Sequence, residues 1–123
     1  MTIHFGCLGN GITCYDVDRV VNNDYPIVAH ISNGGNIHWY KENCKTMKPE
    51  GKALIENCAA KEREKAREYI ESIIKNRYSS EIYRLLDRIP YRMCKEIFDQ
   101  SKNEKIGLIG AIKNNIEEIL NYL

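Results

Sequence analysis

Two arginines four residues apart, Arg88 and Arg92, flank a proline in the run LLDRIPYRM, residues 85–93. A guanidinium is a rigid fork of N–H donors that meets phosphate oxygens two at a time, so a spaced pair of them is phosphate-binding chemistry. Pro90 favours the first position of a helix, which places Arg88 just outside a helix N-terminus and Arg92 in its first turn. Cations there oppose the helix dipole by about 0.3 to 1 kcal/mol each unless an anion or carboxylate sits with them. Tyr91 and Tyr78 supply ring faces on which a base can stack. Ordinary surface pairing is the alternative, with Arg92 on Glu96 one turn on and Arg88 on Asp87 or Glu81.

A second candidate is the glycine-rich stretch HFGCLGNGIT, residues 4–13. Gly6 and Gly11 have the first spacing of a Walker loop, but the next residues are Ile12 and Thr13, with no lysine. A dinucleotide fingerprint needs a helix next, and a strand-like run comes instead. The stretch therefore reads as a hairpin turn in which Gly9, Asn10 or Gly11 takes positive φ, with a backbone bare enough for a ligand or another subunit to approach. Catalytic patterns are sparse: there is no G-x-S-x-G elbow and no pair of histidines at helical spacing. Five cysteines occur without a C-x-x-C pair, so free thiols are expected rather than a disulfide framework or a zinc knuckle. Binding is favoured over catalysis, with no cofactor and no metal.

These residues need elements to hold them. The chain has 123 residues, which suits one domain with its own core. Up to about residue 43 the chain reads as strands, with Ile3, Phe5 and Cys7 alternating with other residues and Ile12, Cys14 and Asp16 on one face of the next run, while NGGN (33–36) turns YPIVAHI back into IHWYK. From Pro49 the period becomes helical: Ile55, Cys58, Ala59, Ala66, Tyr69, Ile70 and Ile73 form one face of a helix ending near Arg77. A short helix starts after Ser79 or Ser80 and stops before Pro90, and another carries Met93, Cys94, Ile97 and Phe98. SKNE (101–104) reads as a capping box with Ser101 as N-cap, opening a last helix striped by Ile109, Ile112, Ile116, Ile119 and Leu123. The expected fold class is α+β: an antiparallel sheet of three to four strands over 1–43, then three to four helices over 49–123. Phe5, Trp39, Tyr40 and the strand IVAHI offer more apolar surface than one helical layer covers, so self-association is expected.

Charge sets the partner class. Net charge is +1, which gives no global field toward DNA, RNA or an anionic membrane, so any anion site is local. The start MTIHFGC lacks a basic region followed by an apolar run, and no stretch of about 18 apolar residues occurs, so a cytoplasmic protein is expected.

The stretch IHFGCLGNGIT, followed by YDVDR, DYPIVAHIS and a hairpin into IHWY, resembles the start of a phage protein family, the first of the Thoeris anti-defence sponges. The likeness is strongest over residues 1–40, and beyond them it rests on helical organisation and the two arginines. It implies an N-terminal antiparallel sheet, C-terminal helices and a homo-oligomer, a dimer or a hexamer built from dimers. It also implies sequestration in the cytoplasm of an infected bacterium. Such proteins bind cyclic ADP-ribose isomers, glycocyclic ADP-ribose of Thoeris among them, and hold them intact, and some members hold cyclic trinucleotides of CBASS as well. In that family two arginines four residues apart hold phosphates and aromatic residues stack on adenine. The phosphate role passes here to Arg88 and Arg92, and base and ribose contacts to Phe5, Asn10 and Tyr78. Few basic residues follow Arg92, only Lys95, Lys102, Lys105 and Lys113, so later arginines of other members have no counterpart. Two rival readings remain open: an enzyme that degrades a nucleotide signal, and a protein-binding inhibitor or structural phage protein.

Overall fold

A computed structural model describes residues 3–7 and 9–123. The fold is α+β. Four antiparallel strands, β1 (Ile3–Gly6), β2 (Ile12–Asp16), β3 (Ile27–Ile31) and β4 (Ile37–Trp39), pair in sequence order and precede the helices. The helices among the described residues are α1 (Lys41–Cys44), α2 (Pro49–Asn76), α3 (Ser79–Asp87), α4 (Tyr91–Asn103), α5 (Gly107–Asn114) and α6 (Ile116–Tyr122). The chain groups into two compact units, Met1–Glu64 and Lys65–Leu123, and the division falls within α2.

In the first unit the alternation read from the sequence sets the faces. Phe5 is registered with Cys14 and Cys14 with Ala29, which puts Ile3, Cys14, Ala29 and Ile31 into a core with Met47 and with Ile55 and Ala59 of α2. Phe5 and Trp39 pack against this same core, and Val28 is fully buried. Part of the apolar surface that argued for self-association is therefore packed inside the unit, while Tyr40 stays exposed. The opposite face of the sheet carries His4 beside Tyr15, and Thr13 beside His30 beside His38.

Between β1 and β2, Gly9 and Gly11 both have positive φ, at 69° and 96°. Asn10 between them is exposed, and Leu8, the first residue of the LGNG turn, lies outside the described residues. After β2 a buried charge closes the chain. The Asp16 carboxylate accepts from Arg19 Nε at 2.8 Å and from the Asp18 amide at 3.0 Å, while Arg19 also donates to Thr46 Oγ1 and to the Asn43 carbonyl. Asn43 Nδ2 reaches the Ile27 carbonyl at 2.7 Å, so one polar network fastens α1 to β3.

The second unit is helical, with a core of Ile70, Ile73, Ile82, Leu85, Leu86, Ile89, Met93, Ile97, Ala111, Ile112, Ile119 and Leu120. Toward the C-terminus two helix boundaries differ from the sequence reading. Ser101 is not an N-cap: α4 continues to Asn103 and stops where Lys105 takes φ 54°. The last helix is also broken at Asn115, whose side-chain amide donates to the Ala111 carbonyl and to Gln100 Oε1, both at 2.7 Å. A short amide that captures a carbonyl four residues back competes with the helix ladder.

Candidate anion-binding site

The segment between α3 and α4 sets the two arginines. Arg88 is the C-cap of α3, its amide donating to the Leu85 carbonyl at 3.1 Å, and the buried Ile89 anchors the connection. Pro90 is the N-cap of α4, at φ −61° and ψ 148°, and not its first helical residue as the sequence reading has it. Arg92 is thus the second residue of α4. The electrostatics divide accordingly. Arg88 lies at the negative end of α3, where a cation is favoured, and only Arg92 opposes a helix dipole.

Both side chains are exposed, and among the described residues neither has an ion-pair partner. The surface pairs read from the sequence do not form. Glu81 accepts from Arg84 Nη1 at 3.0 Å and from the Tyr69 hydroxyl at 2.5 Å, which commits both its oxygens. No acidic residue occupies the first turn of α4, and no side chain caps it. Tyr91 beside Arg92 is 82% exposed, the most open of the large hydrophobic side chains among the described residues.

Of the residues assigned from sequence, Arg92 and Tyr78 line different cavities of the second unit. Arg92 lines a cavity of about 360 Å³ with Met93, Glu96, Glu118, Asn121 and Tyr122, where two carboxylates compete with an anionic ligand. Tyr78 lines an open groove of about 740 Å³ whose other walls include Tyr69, Arg77, Ser79, Ser80 and Glu81. Arg88 belongs to the surroundings of that groove through Tyr69. The hydrogen bond to Glu81 and burial raise the Tyr69 phenol above its ordinary pKa, and the positive charge of Arg88 acts in the opposite direction. Phe5 and Asn10 belong to the sheet unit. Phe5 is half-buried against the sheet core, and Asn10 stands exposed at the turn.

Arg77 and Tyr69 are lining residues that the sequence reading did not select. Arg77 was legible only as the end of a helix. Elsewhere the chemistry is quiet. Among the described residues no group of three or more His, Cys, Asp or Glu is placed to hold a metal, and none of the five cysteines is in a disulfide. Burial, and next the nearby Cys58, push the Cys14 thiol up to about 12, away from nucleophilic chemistry. Among the described residues no helix is long and apolar enough to cross a membrane.

No family model matches the chain, and no curated protein or solved structure matches it.

Proposed function

We propose that this protein binds and sequesters, without cleaving, a cyclic nucleotide immune signal of the cyclic ADP-ribose class, acting as a phage sponge in the cytoplasm of the infected host. The observation that carries the reading is the pair Arg88 and Arg92, exposed on either side of Pro90 and without ion-pair partners among the described residues. In this reading the two guanidiniums take the phosphates and Tyr78 offers a stacking face. Cyclic trinucleotides are the second ligand class, and assembly into a homo-oligomer belongs to the same reading through the family resemblance.

The energetics are compatible with a sponge. Clearing a scarce signal needs a dissociation constant near nanomolar, about −12 kcal/mol. Charge-assisted bonds from two arginines contribute on the order of 1.5 to 3 kcal/mol each, and a preorganised surface lowers the cost of ordering. No reacting group is required. The test is to incubate the protein with a cyclic ADP-ribose isomer, denature it by heat and analyse what is released. Intact ligand in stoichiometric amount supports sequestration, whereas a chemically changed product overturns it.

A further inference from the structure

The groove at the end of α2 and the start of α3 carries recognition chemistry that the arginine pair does not use. It is lined by Ile73, which is 2% exposed, and by Tyr69 and Tyr78, which are 45% and 54% exposed. Arg77 lines the same groove without an ion-pair partner among the described residues, and the hydroxyls of Ser79 and Ser80 have no hydrogen bond there. The one carboxylate present, Glu81, is already held by Tyr69 and Arg84. The groups left free are therefore donors and aromatic faces. At about 740 Å³ the groove lies in the range of small-molecule sites.

A ligand complementary to this set has a flat ring system, sugar hydroxyls and at least one phosphate. We infer that the groove seats the adenosine-phosphate half of the ligand, with the base on Tyr78 and the phosphate on Arg77, Ser79 and Ser80. This rests on the reading that the chain sequesters a cyclic ADP-ribose isomer, and it adds a third phosphate-binding cation to Arg88 and Arg92. Arg88, at the other end of α3, acts to lower the pKa of Tyr69, which lines the groove.

Isothermal titration of the full chain with AMP, adenosine and inorganic phosphate, beside a cyclic ADP-ribose isomer, tests the assignment. AMP should bind more tightly than adenosine or phosphate alone. Arg77→Gly should weaken AMP and the cyclic isomer at least about tenfold, the effect of losing one charged hydrogen bond. This variant separates binding from folding, because Arg77 has φ 54°, a conformation that glycine adopts without strain. Tyr78→Ala should lose AMP as well, and Tyr78→Phe should keep it.

Unchanged AMP affinity in Arg77→Gly and Tyr78→Ala overturns the inference. A cyclic isomer that depends on Arg88 and Arg92 but not on Arg77 removes the groove and leaves the sponge reading standing. Binding of AMP through Arg77 with no binding of any cyclic isomer upholds the groove as a mononucleotide site and removes the sponge reading. Wild-type protein that binds neither removes both.

Discussion

Arg88 closes the C-terminus of α3 and Arg92 lies in the first turn of α4, so the same charge meets opposite dipole ends within five residues. A cation is stabilised at the first position and opposed at the second, by about 0.3 to 1 kcal/mol at low salt. Replacing each by alanine should therefore move stability in opposite directions. Arg88→Ala lowers the urea midpoint slightly, and Arg92→Ala leaves it unchanged or raises it. Both shifts shrink at high salt. A residue that costs stability and still occupies a helix start fits one kept for a ligand.

The two glycines of the β1–β2 turn should separate backbone strain from collision. A Cβ on Gly9 meets nothing within 4 Å, so Gly9→Ala costs only the left-handed φ of 69°, about 1 to 2 kcal/mol. A Cβ on Gly11 would stand 2.3 Å from the Ile31 carbonyl and 2.8 Å from His30 Nε2, at φ 96°. Gly11→Ala should cost at least about 2 kcal/mol more than Gly9→Ala, because the β3 backbone must move. Urea midpoints at constant slope measure the difference.

The thiols give a pH dependence with a definite sign. Burial raises Cys14 from 9.0 to about 12, and the folded state therefore favours the neutral thiol. Its contribution to stability is complete below pH 9, where the unfolded thiol is still protonated, and is lost as pH rises from 9 toward 12. The slope is up to about 1.4 kcal/mol per pH unit. Cys44 and Cys94 are shifted in the same direction by burial. Stability measured from pH 8 to 10.5 should fall in the wild type and fall less steeply in Cys14→Ala. Alkylation at neutral pH, read by mass spectrometry, should label the exposed Cys7 early and Cys14 last.

Much of the frame was legible because its periods are clean. Alternation in β1 and β2 and the NGGN hairpin locate the sheet, and the three- and four-residue spacing from Ile55 to Ile73 locates α2. Helix ends were harder, since they depend on single side chains and backbone angles. Asn115 breaks the last helix by capturing the Ala111 carbonyl, which a stripe of isoleucines does not reveal. Lys105 and Arg77 end helices in the left-handed region, where sequence rules anticipate glycine or asparagine. The arginine pair was visible by spacing, but its electrostatic asymmetry was not, because moving Pro90 from first helical residue to N-cap gives Arg88 to the preceding helix. Tyr69 was read as a residue of the apolar face of α2. Its hydroxyl instead meets Glu81 of α3, a contact twelve residues away in the chain.

The most direct test of the sponge reading is calorimetric titration of a cyclic ADP-ribose isomer into the wild type and into Arg88→Ala/Arg92→Ala, with circular dichroism as the control for folding. The account predicts wild-type binding near nanomolar and a loss of at least about 100-fold in the double variant, from two charged hydrogen-bonding groups at roughly 1.5 to 3 kcal/mol each. Equal affinity in the two proteins, or no binding by the wild type, would contradict it.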